Sequence, residues 1–555
     1  MAQPLQSINL VAPAFKGVNT EDSPIAQDPS FADVADNAVI DKRGRIAARK
    51  GVDLITDDAA SITALNNEYI KKIHHFYNDA GDEEVFSAAN DTLFTGTTAL
   101  TAATITVNTS GGEPAYSITD DNWKIVNFNN KAYFFQRNHQ PLVYSVSGGT
   151  GTLETFWNAT GSSTAADLYC HEALAAYGRL WIADSSASSQ VIYWSDLLIG
   201  EDFTGGSSGS IDVSKAWPDG FDEIRALAAH NNHLIIFGKH SILVYGGASS
   251  PASMALVDTV AGVGCICRNS VQYTGTDVLF VSETGLRSFG RTIQEKSMPL
   301  SDLSINVKTE FIAEIIGRSE PTASVYSPEN SFYLITFPNS TTTYCFDLKG
   351  RLENGGFRVT RWGSAPFRAY ERKADGTLLV GTVHGIGEYA NYYDQYWDPT
   401  AGAIANGIYR FRYYSPALTF GDPSKIKILK KLRPTLVGAN NATVSMRWSY
   451  DFDTSFKSQQ FTVGDQTPFY FSDPRDASNN PAGGGLAEFS NPVDGLGNPA
   501  GGGDAEFTGG VNTSRKAINT TGGGSVITIG LEADIEGDAL SLQEINVLAL
   551  IGKTI

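Results

Sequence analysis

The sequence predicts an all-β protein: a β-propeller of six or seven blades, an extended N-terminal arm before it, and a C-terminal β-sandwich or barrel after it. Three observations carry that expectation. The 555 residues include 55 glycines and 11% aromatic but only 18% charged residues, a composition that suits many short strands joined by tight turns. The stretch Ile224–Gly247 (IRALAAHNNHLIIFGKHSILVYGG) reads as three short apolar strands separated by an Asn-rich turn and by Gly238–His240. A meander of three strands cannot bury both faces alone, and this one recurs along the chain.

Residues 1–60 come first and differ from the repeats behind them. Pro13, Pro24 and Pro29 interrupt them, and they end in a basic cluster, Lys42-Arg43-Gly44-Arg45 and Arg49-Lys50-Gly51. A hairpin is expected near Val39–Val52, with its turn at Lys42–Gly44. It is either a solvated hairpin or part of an arm that docks on a partner or a neighbouring subunit, since long non-helical termini are ordered only when tied down.

From about residue 70 the unit repeats. Ile70–Gly96, Trp123–Ser145, Leu174–Trp194, Ile224–Gly247, Val271–Phe289, Val325–Phe346 and Phe367–Tyr389 each show an apolar strand, an Asn/Asp/Gly turn, a second apolar strand and a short strand ending near an aromatic residue. A period of roughly 50 residues built from antiparallel strands is the signature of propeller blades, and the linking segments can supply a fourth strand. No Trp-Asp, kelch or sialidase-type signature is present, so two β-sandwiches without radial symmetry are the competing architecture. The propeller is expected over residues 61–400.

Beyond residue 400 the strands lengthen. Val444, Met446 and Trp448 alternate onto one face, Phe452–Phe461 returns as a hairpin partner, and Ser525–Ala533 and Gln543–Ile551 are expected to close the same sheet. A Gly-rich insertion is expected over 475–525, where Asn480–Phe489 is nearly repeated at Asn498–Phe507. Its glycine triplets neither open a helix nor precede Lys-Ser/Thr, so they are no phosphate cradle.

Composition also bounds function. A net charge of −19 and a pI near 4.9 leave no basic footprint for gripping nucleic acid, although an acidic wall lets DNA slide without sticking. No export signal and no membrane-spanning run are expected from the sequence. Cys170, Cys265, Cys267 and Cys345 lack disulfide or zinc spacing, and Cys265 and Cys267 read as two small thiols on one strand face. No catalytic, metal or cofactor constellation emerges. Asp451 and Asp453 read as turn residues. Asp394 and Asp398, flanking Tyr396 and Trp397, suggest either a carbohydrate-binding cluster or packing between propeller and C-terminal domain.

Two stretches resemble the tail nozzle (tail tubular protein B-like) family of short-tailed bacteriophages. The first is Phe15-Lys16-Gly17-Val18-Asn19-Thr20, Pro24, Ala35-Asp36-Asn37 and Arg45-Ile46-Ala47-Ala48-Arg49-Lys50-Gly51. The second is Leu234–Gly247, Val263-Gly264-Cys265, Val278–Ser282 and Gly285–Phe289. Lys16-Gly17 stands where Gly-Gly is commoner, and the 475–525 insertion has no counterpart. The resemblance implies a non-enzymatic virion protein of the short tail, assembled in the host cytoplasm. It would form a homo-oligomer, a hexameric ring that continues the portal–adaptor channel, contacts the adaptor ring and tail fibres, retains the genome and passes viral DNA at ejection. The interface residues it suggests are Phe15, Lys16, Val18, Asn19, Arg43, Arg45, Arg49 and Lys50. The rival readings are a propeller enzyme that degrades glycans and a host-glycan-binding tail protein. Removal of residues 1–60 is expected to abolish docking and leave the propeller folded.

Overall fold

The computed structural model describes residues 5–107, 116–155, 169–295, 302–316, 322–363, 367–439, 442–463 and 513–554. Among the described residues, successive hairpins fold into seven blades that follow one another around a common axis. Six contain four antiparallel strands: blade 1 (Lys72–Tyr77 to Thr101–Ala102), blade 2 (Lys124–Phe128 to Thr150–Thr155, with Ile105–Thr106 added parallel at its edge), blade 3 (Cys170–Ala176 to Gly209–Asp212), blade 4 (Ile224–His230 to Ala255–Ala261), blade 6 (Ala323–Ser327 to Phe357–Trp362) and blade 7. Blade 5 has three, from Gln272–Tyr273 to Gly285–Ser288, and a helix at Phe289–Glu295 comes after it. The fold is a β-propeller.

The turns explain why the hairpins form where they do. Two-residue hairpin loops need positive φ at both central positions to match the strand twist, and Asn tolerates that conformation. Asn129 and Asn130 (φ 46° and 63°) join the first two strands of blade 2, and Asn231 and Asn232 (47° and 60°) do the same in blade 4. Asn90 and Asp91 turn blade 1 in the same way. In blade 4 the segment after Gly247 supplies the expected fourth strand, Ala255–Ala261.

Between neighbouring blades the inward faces bury a cluster of apolar side chains. Phe86 of blade 1 meets Phe134 of blade 2 edge to face at 4.9 Å. Trp181 of blade 3 packs with Leu234 and Ile236 of blade 4, and Phe237 of blade 4 with Phe280 of blade 5. Burying each such side chain contributes roughly 1.5–3 kcal/mol.

Blade 7 is completed by the N-terminal segment. Its own strands, Ala369–Arg372, Leu378–Thr382 and Gly385–Ala390, are joined at the outer edge by Gly51–Leu54, with Tyr389 opposite Val52. The ring is therefore closed by a strand that precedes blade 1, and residue 60 is no boundary between arm and propeller.

The rest of the N-terminal segment belongs to the C-terminal unit. Val34–Asp36 lies between Phe357–Trp362 of blade 6 and Tyr409–Tyr414, so the blade 6 sheet continues through Ile527–Ile535, Thr443–Tyr450 and Lys457–Thr462 as one nine-stranded sheet. A second sheet centres on Lys425–Gly438 and Leu540–Thr554 and includes Gln6–Val11 and the hairpin Ala38–Ile40/Ile46–Ala48. The two form a sandwich: Phe411, Met446, Trp448 and Leu531 of one sheet share a core with Leu429, Leu436, Ile545 and Val547 of the other. The strands expected from Ser525–Ala533 and Gln543–Ile551 thus lie in opposite sheets, because each offers its apolar face to the other. Of the expected 475–525 insertion, 475–512 lies outside the described residues. Residues after it pair as short edge strands against Lys425–Gly438, beginning with Thr513–Arg515.

These pairings reverse the expectation for truncation. A chain lacking residues 1–54 loses the outer strand of blade 7 and four strands of the sandwich sheets. Its thermal unfolding midpoint, followed by circular dichroism, is expected to fall by on the order of 10 °C or to lose cooperativity. An unchanged midpoint would show that ring closure is dispensable.

Candidate functional site

The innermost strands converge on the propeller axis, and they bring charge with them. Lys72 comes from blade 1, Lys124 from blade 2, Glu172 from blade 3, Arg268 from the approach to blade 5, and Glu371 from blade 7. Lys124 Nζ lies 3.0 Å from Glu172 Oε1, and Arg268 Nε lies 3.9 Å from Glu172 Oε2. The Arg268 guanidinium also donates to Asn122 Oδ1 at 2.6 Å and to the His171 carbonyl. The Leu227 amide donates to Glu172 Oε1 at 3.4 Å, bringing blade 4 into the same cluster.

On the opposite wall, Glu371 Oε1 accepts the His75 amide at 3.2 Å and faces His74 Nδ1 at 3.6 Å. Asn127 fixes the histidine tautomer. Its Nδ2 donates to the His75 carbonyl, so its Oδ1 accepts from His74 Nε2 at 2.8 Å. Burial, with Lys72 nearby, depresses His74 to about 3, so the ring is neutral. Its Nδ1 lone pair then faces Glu371, an arrangement that favours a protonated carboxyl, and burial pushes Glu371 up against the pull of Lys72. Burial also raises Glu172, opposed by Lys124 and Arg268.

A cavity of about 310 Å³ remains between these groups. Two carboxylates stand at the axis, as a glycan-degrading propeller would need, but each is held by groups of its own chain. Sequence reasoning missed this cluster. Its signal is a charged residue near the start of the first strand in most of the repeats, which is visible only once those strands are known to share an axis.

The residues predicted for docking fall into two sets. Val18, Asn19, Arg45 and Arg49 are buried in the chain itself. The Val18 amide bonds to the Val359 carbonyl at 2.8 Å. Asn19 Oδ1 accepts the Glu21 and Asp22 amides at 3.0 and 3.2 Å, and Arg45 pairs with Asp41 at 2.7 Å. Arg49 has no exposed side-chain surface. It makes a two-pronged pair with Asp394 (2.5 and 2.9 Å), donates to Asn37 Oδ1 at 3.1 Å and to the Lys50 carbonyl at 2.8 Å, and lies over the Tyr409 ring at 4.2 Å. Asp394 is therefore bound to Arg49 at the junction of propeller and sandwich, and Trp397 is buried. Phe15, Lys16, Arg43 and Lys50 reach the surface. There Arg358 covers the Phe15 ring at 4.6 Å, and Lys16 pairs with Asp28 at 2.6 Å.

At the same junction Asp33 is pushed up to about 6 by burial, beside Tyr413, whose buried hydroxyl has no hydrogen-bond partner among the described residues.

No protein-family model matches the sequence, and no curated protein matches it. Among solved structures, the extracellular domain of a one-component system from B. thetaiotaomicron is similar at 12% identity and TM-score 0.37, over 66% of this chain and 45% of that one. PorZ, a surface component of the type-IX secretion system of Porphyromonas gingivalis, is similar at 11% identity and TM-score 0.33, over 71% and 45%. The WD40 domain of Pan2 from Neurospora crassa is similar at 8% identity and TM-score 0.34, over 58% and 89%. The chain spans less than half the length of the first two. Similarity at this level carries no functional information.

Two outcomes are expected at the junction. Asp394→Asn leaves the buried Arg49 without its counter-charge and is expected to lower stability by about 3 kcal/mol in chemical denaturation. Asp33 has a folded pKa near 6, above its unfolded value near 3.8, so its favourable contribution is full below the unfolded value and lost as pH rises through 6. Asp33→Asn is therefore expected to raise the unfolding midpoint at pH 7.5 and to leave it nearly unchanged at pH 4.

Proposed function

We propose that the chain is a nozzle subunit of a short phage tail, a structural virion protein that forms a ring. Its task is to wall a channel that retains and then conducts DNA, and it performs no catalysis. The observation that carries this reading is how one N-terminal segment is used. It completes blade 7, extends blade 6 and supplies strands to both sheets of the sandwich, which makes propeller and sandwich one continuous body. A wall under the pressure of packaged DNA needs that continuity. The resemblance in Phe15–Gly51 and in Leu234–Phe289 supports the same reading.

The propeller axis is not the conduit in this proposal. A cavity of about 310 Å³ crossed by Arg268 and Lys124 is far too small for a duplex whose major groove alone is about 12 Å wide. DNA would pass through a hole between copies, along surfaces of a chain with net charge −19 that repel phosphate. Hexameric order, contact with the adaptor ring and tail fibres, and residence in the virion tail belong to the proposal. Phe15, Arg43 and Lys50, which are exposed, and the half-buried Lys16 are its docking candidates.

Negative-stain imaging of the full chain, alone and with the adaptor ring, tests it. Six-fold rings with a central hole are expected. Compact single particles in both samples, or cleavage of a polysaccharide by the purified chain, would overturn the reading. The double substitution Arg43→Glu/Lys50→Glu is expected to leave thermal unfolding unchanged and to reduce retention of the protein on particles at least tenfold.

A further inference from the structure

The axial cavity is basic in a chain that is acidic overall. Lys71, Lys72, Lys124, Arg268 and Arg372 line it, against one lining acid, Glu371. A second pocket, which shares the Asn122–His171 region that Arg268 reaches, adds Arg137 and Arg225 against Asp120. Most of these cations are matched within the protein. Lys71 pairs with Asp121 at 2.9 Å and with Glu68 at 3.2 Å. Lys124 pairs with Glu172 at 3.0 Å, Arg372 with Glu329, Arg137 with Asp184 and Arg225 with Glu223.

Lys72 is the exception. Among the described residues its ammonium makes no hydrogen bond and no ion pair, although it stands on the innermost strand of blade 1 and opens into the cavity. A half-buried ammonium with no carboxylate in contact is unfavourable, and burial depresses its basicity more than the more distant Glu371 and Glu172 restore it. Ser324, Gln272 and Tyr326 add hydroxyl and amide groups to the same wall. The volume is at the lower end of the range for small-molecule sites, which is about 300–1,000 Å³.

We propose that the propeller axis binds a small oxyanion, with Lys72 as its principal counter-ion and the surrounding cations as its attracting field. The anion would complete the charge balance that the protein leaves open and would cross-link the inner strands of blades 1, 6 and 7. This site is independent of ring assembly and stands or falls separately from it.

Isothermal titration calorimetry on the full chain tests the proposal, with sodium phosphate, sodium sulfate and sodium acetate as probes at constant low ionic strength. One saturable site per chain is expected. Saturation by phosphate and sulfate alone assigns a tetrahedral oxyanion, and saturation by acetate a carboxylate. Lys72→Met is expected to weaken binding at least tenfold, while the exposed control Lys215→Met leaves it unchanged. Absence of saturable binding to the wild-type chain by all three probes would overturn the proposal, as would equal affinity in a folded Lys72→Met. Should Lys72→Met not fold, Lys72→Gln takes its place under the same criteria, with a phosphate-dependent rise in the wild-type unfolding midpoint as the second readout.

Discussion

A guanidinium withdrawn from water fixes the position of everything it touches, and Arg49 is withdrawn completely. Its donors reach Asn37, Lys50 and both oxygens of Asp394, and its plane lies over Tyr409. Those residues belong to the N-terminal segment, the loop after blade 7 and the sandwich strand Tyr409–Tyr414. Trp362 at the end of blade 6 lies within 5.7 Å of the same group. Burial works against the charge, but Asp394 more than offsets it, and Arg49 remains a cation. A buried pair of this kind adds little net stability compared with apolar packing, but a misplaced partner is strongly destabilising. We infer that its contribution is specificity: the four segments dock in one arrangement or not at all.

That constraint matters because a propeller has little else to set its closure. Blades 5 and 6 share a core with the sandwich, but the apolar clusters between successive blades are similar in kind. Cys265, Phe280 and Phe289 fill one interface much as Phe86, Phe134 and Tyr144 fill another. Such interfaces specify adjacency, not where the ring ends. The end is set by Gly51–Leu54, whose pairing with Gly385–Ala390 brings the segment before blade 1 to the edge of blade 7. Gly51 itself leaves no room for a side chain, since a Cβ there would lie 1.7 Å from the Tyr393 carbonyl oxygen. The strand and the loop after blade 7 fit only at that closeness.

Legibility in the sequence depends on distance along the chain. The Asn129-Asn130 and Asn231-Asn232 turns, and the apolar runs on either side of them, are local signals, and they placed the repeats and the all-β class. The hairpin at Ala38–Ala48 was legible for the same reason, with its turn at Asp41–Gly44. Arg49 and Asp394 are 345 positions apart, and neither has a neighbour that advertises the other. A basic cluster at the end of a Pro-broken segment resembles a docking surface. Only the fold separates Arg45 and Arg49, which face inward, from Arg43 and Lys50, which face out. The axial charges were illegible for a related reason. Lys72, Lys124, Glu172 and Glu371 are each ordinary on a short strand, and their meaning arises only when the strands are arranged around one line.

The axial charges also solve a geometric problem. Inner strands converge toward the axis but cannot touch across it, and the gap is too wide for the short apolar side chains that fill the spaces between blades. Long side chains with polar ends can bridge it, because their stems pack along the strands while their heads meet over the opening. Arg268, entering blade 5, reaches Asn122 ahead of blade 2 and His171 at blade 3, and so passes over blade 4. Lys124 of blade 2 and the Leu227 amide of blade 4 meet on the same Glu172. These contacts brace the ring along its diameter, whereas Gly51–Leu54 secures its circumference. A ring held in both ways resists ovalisation as well as opening, which a ring held only at its seam does not.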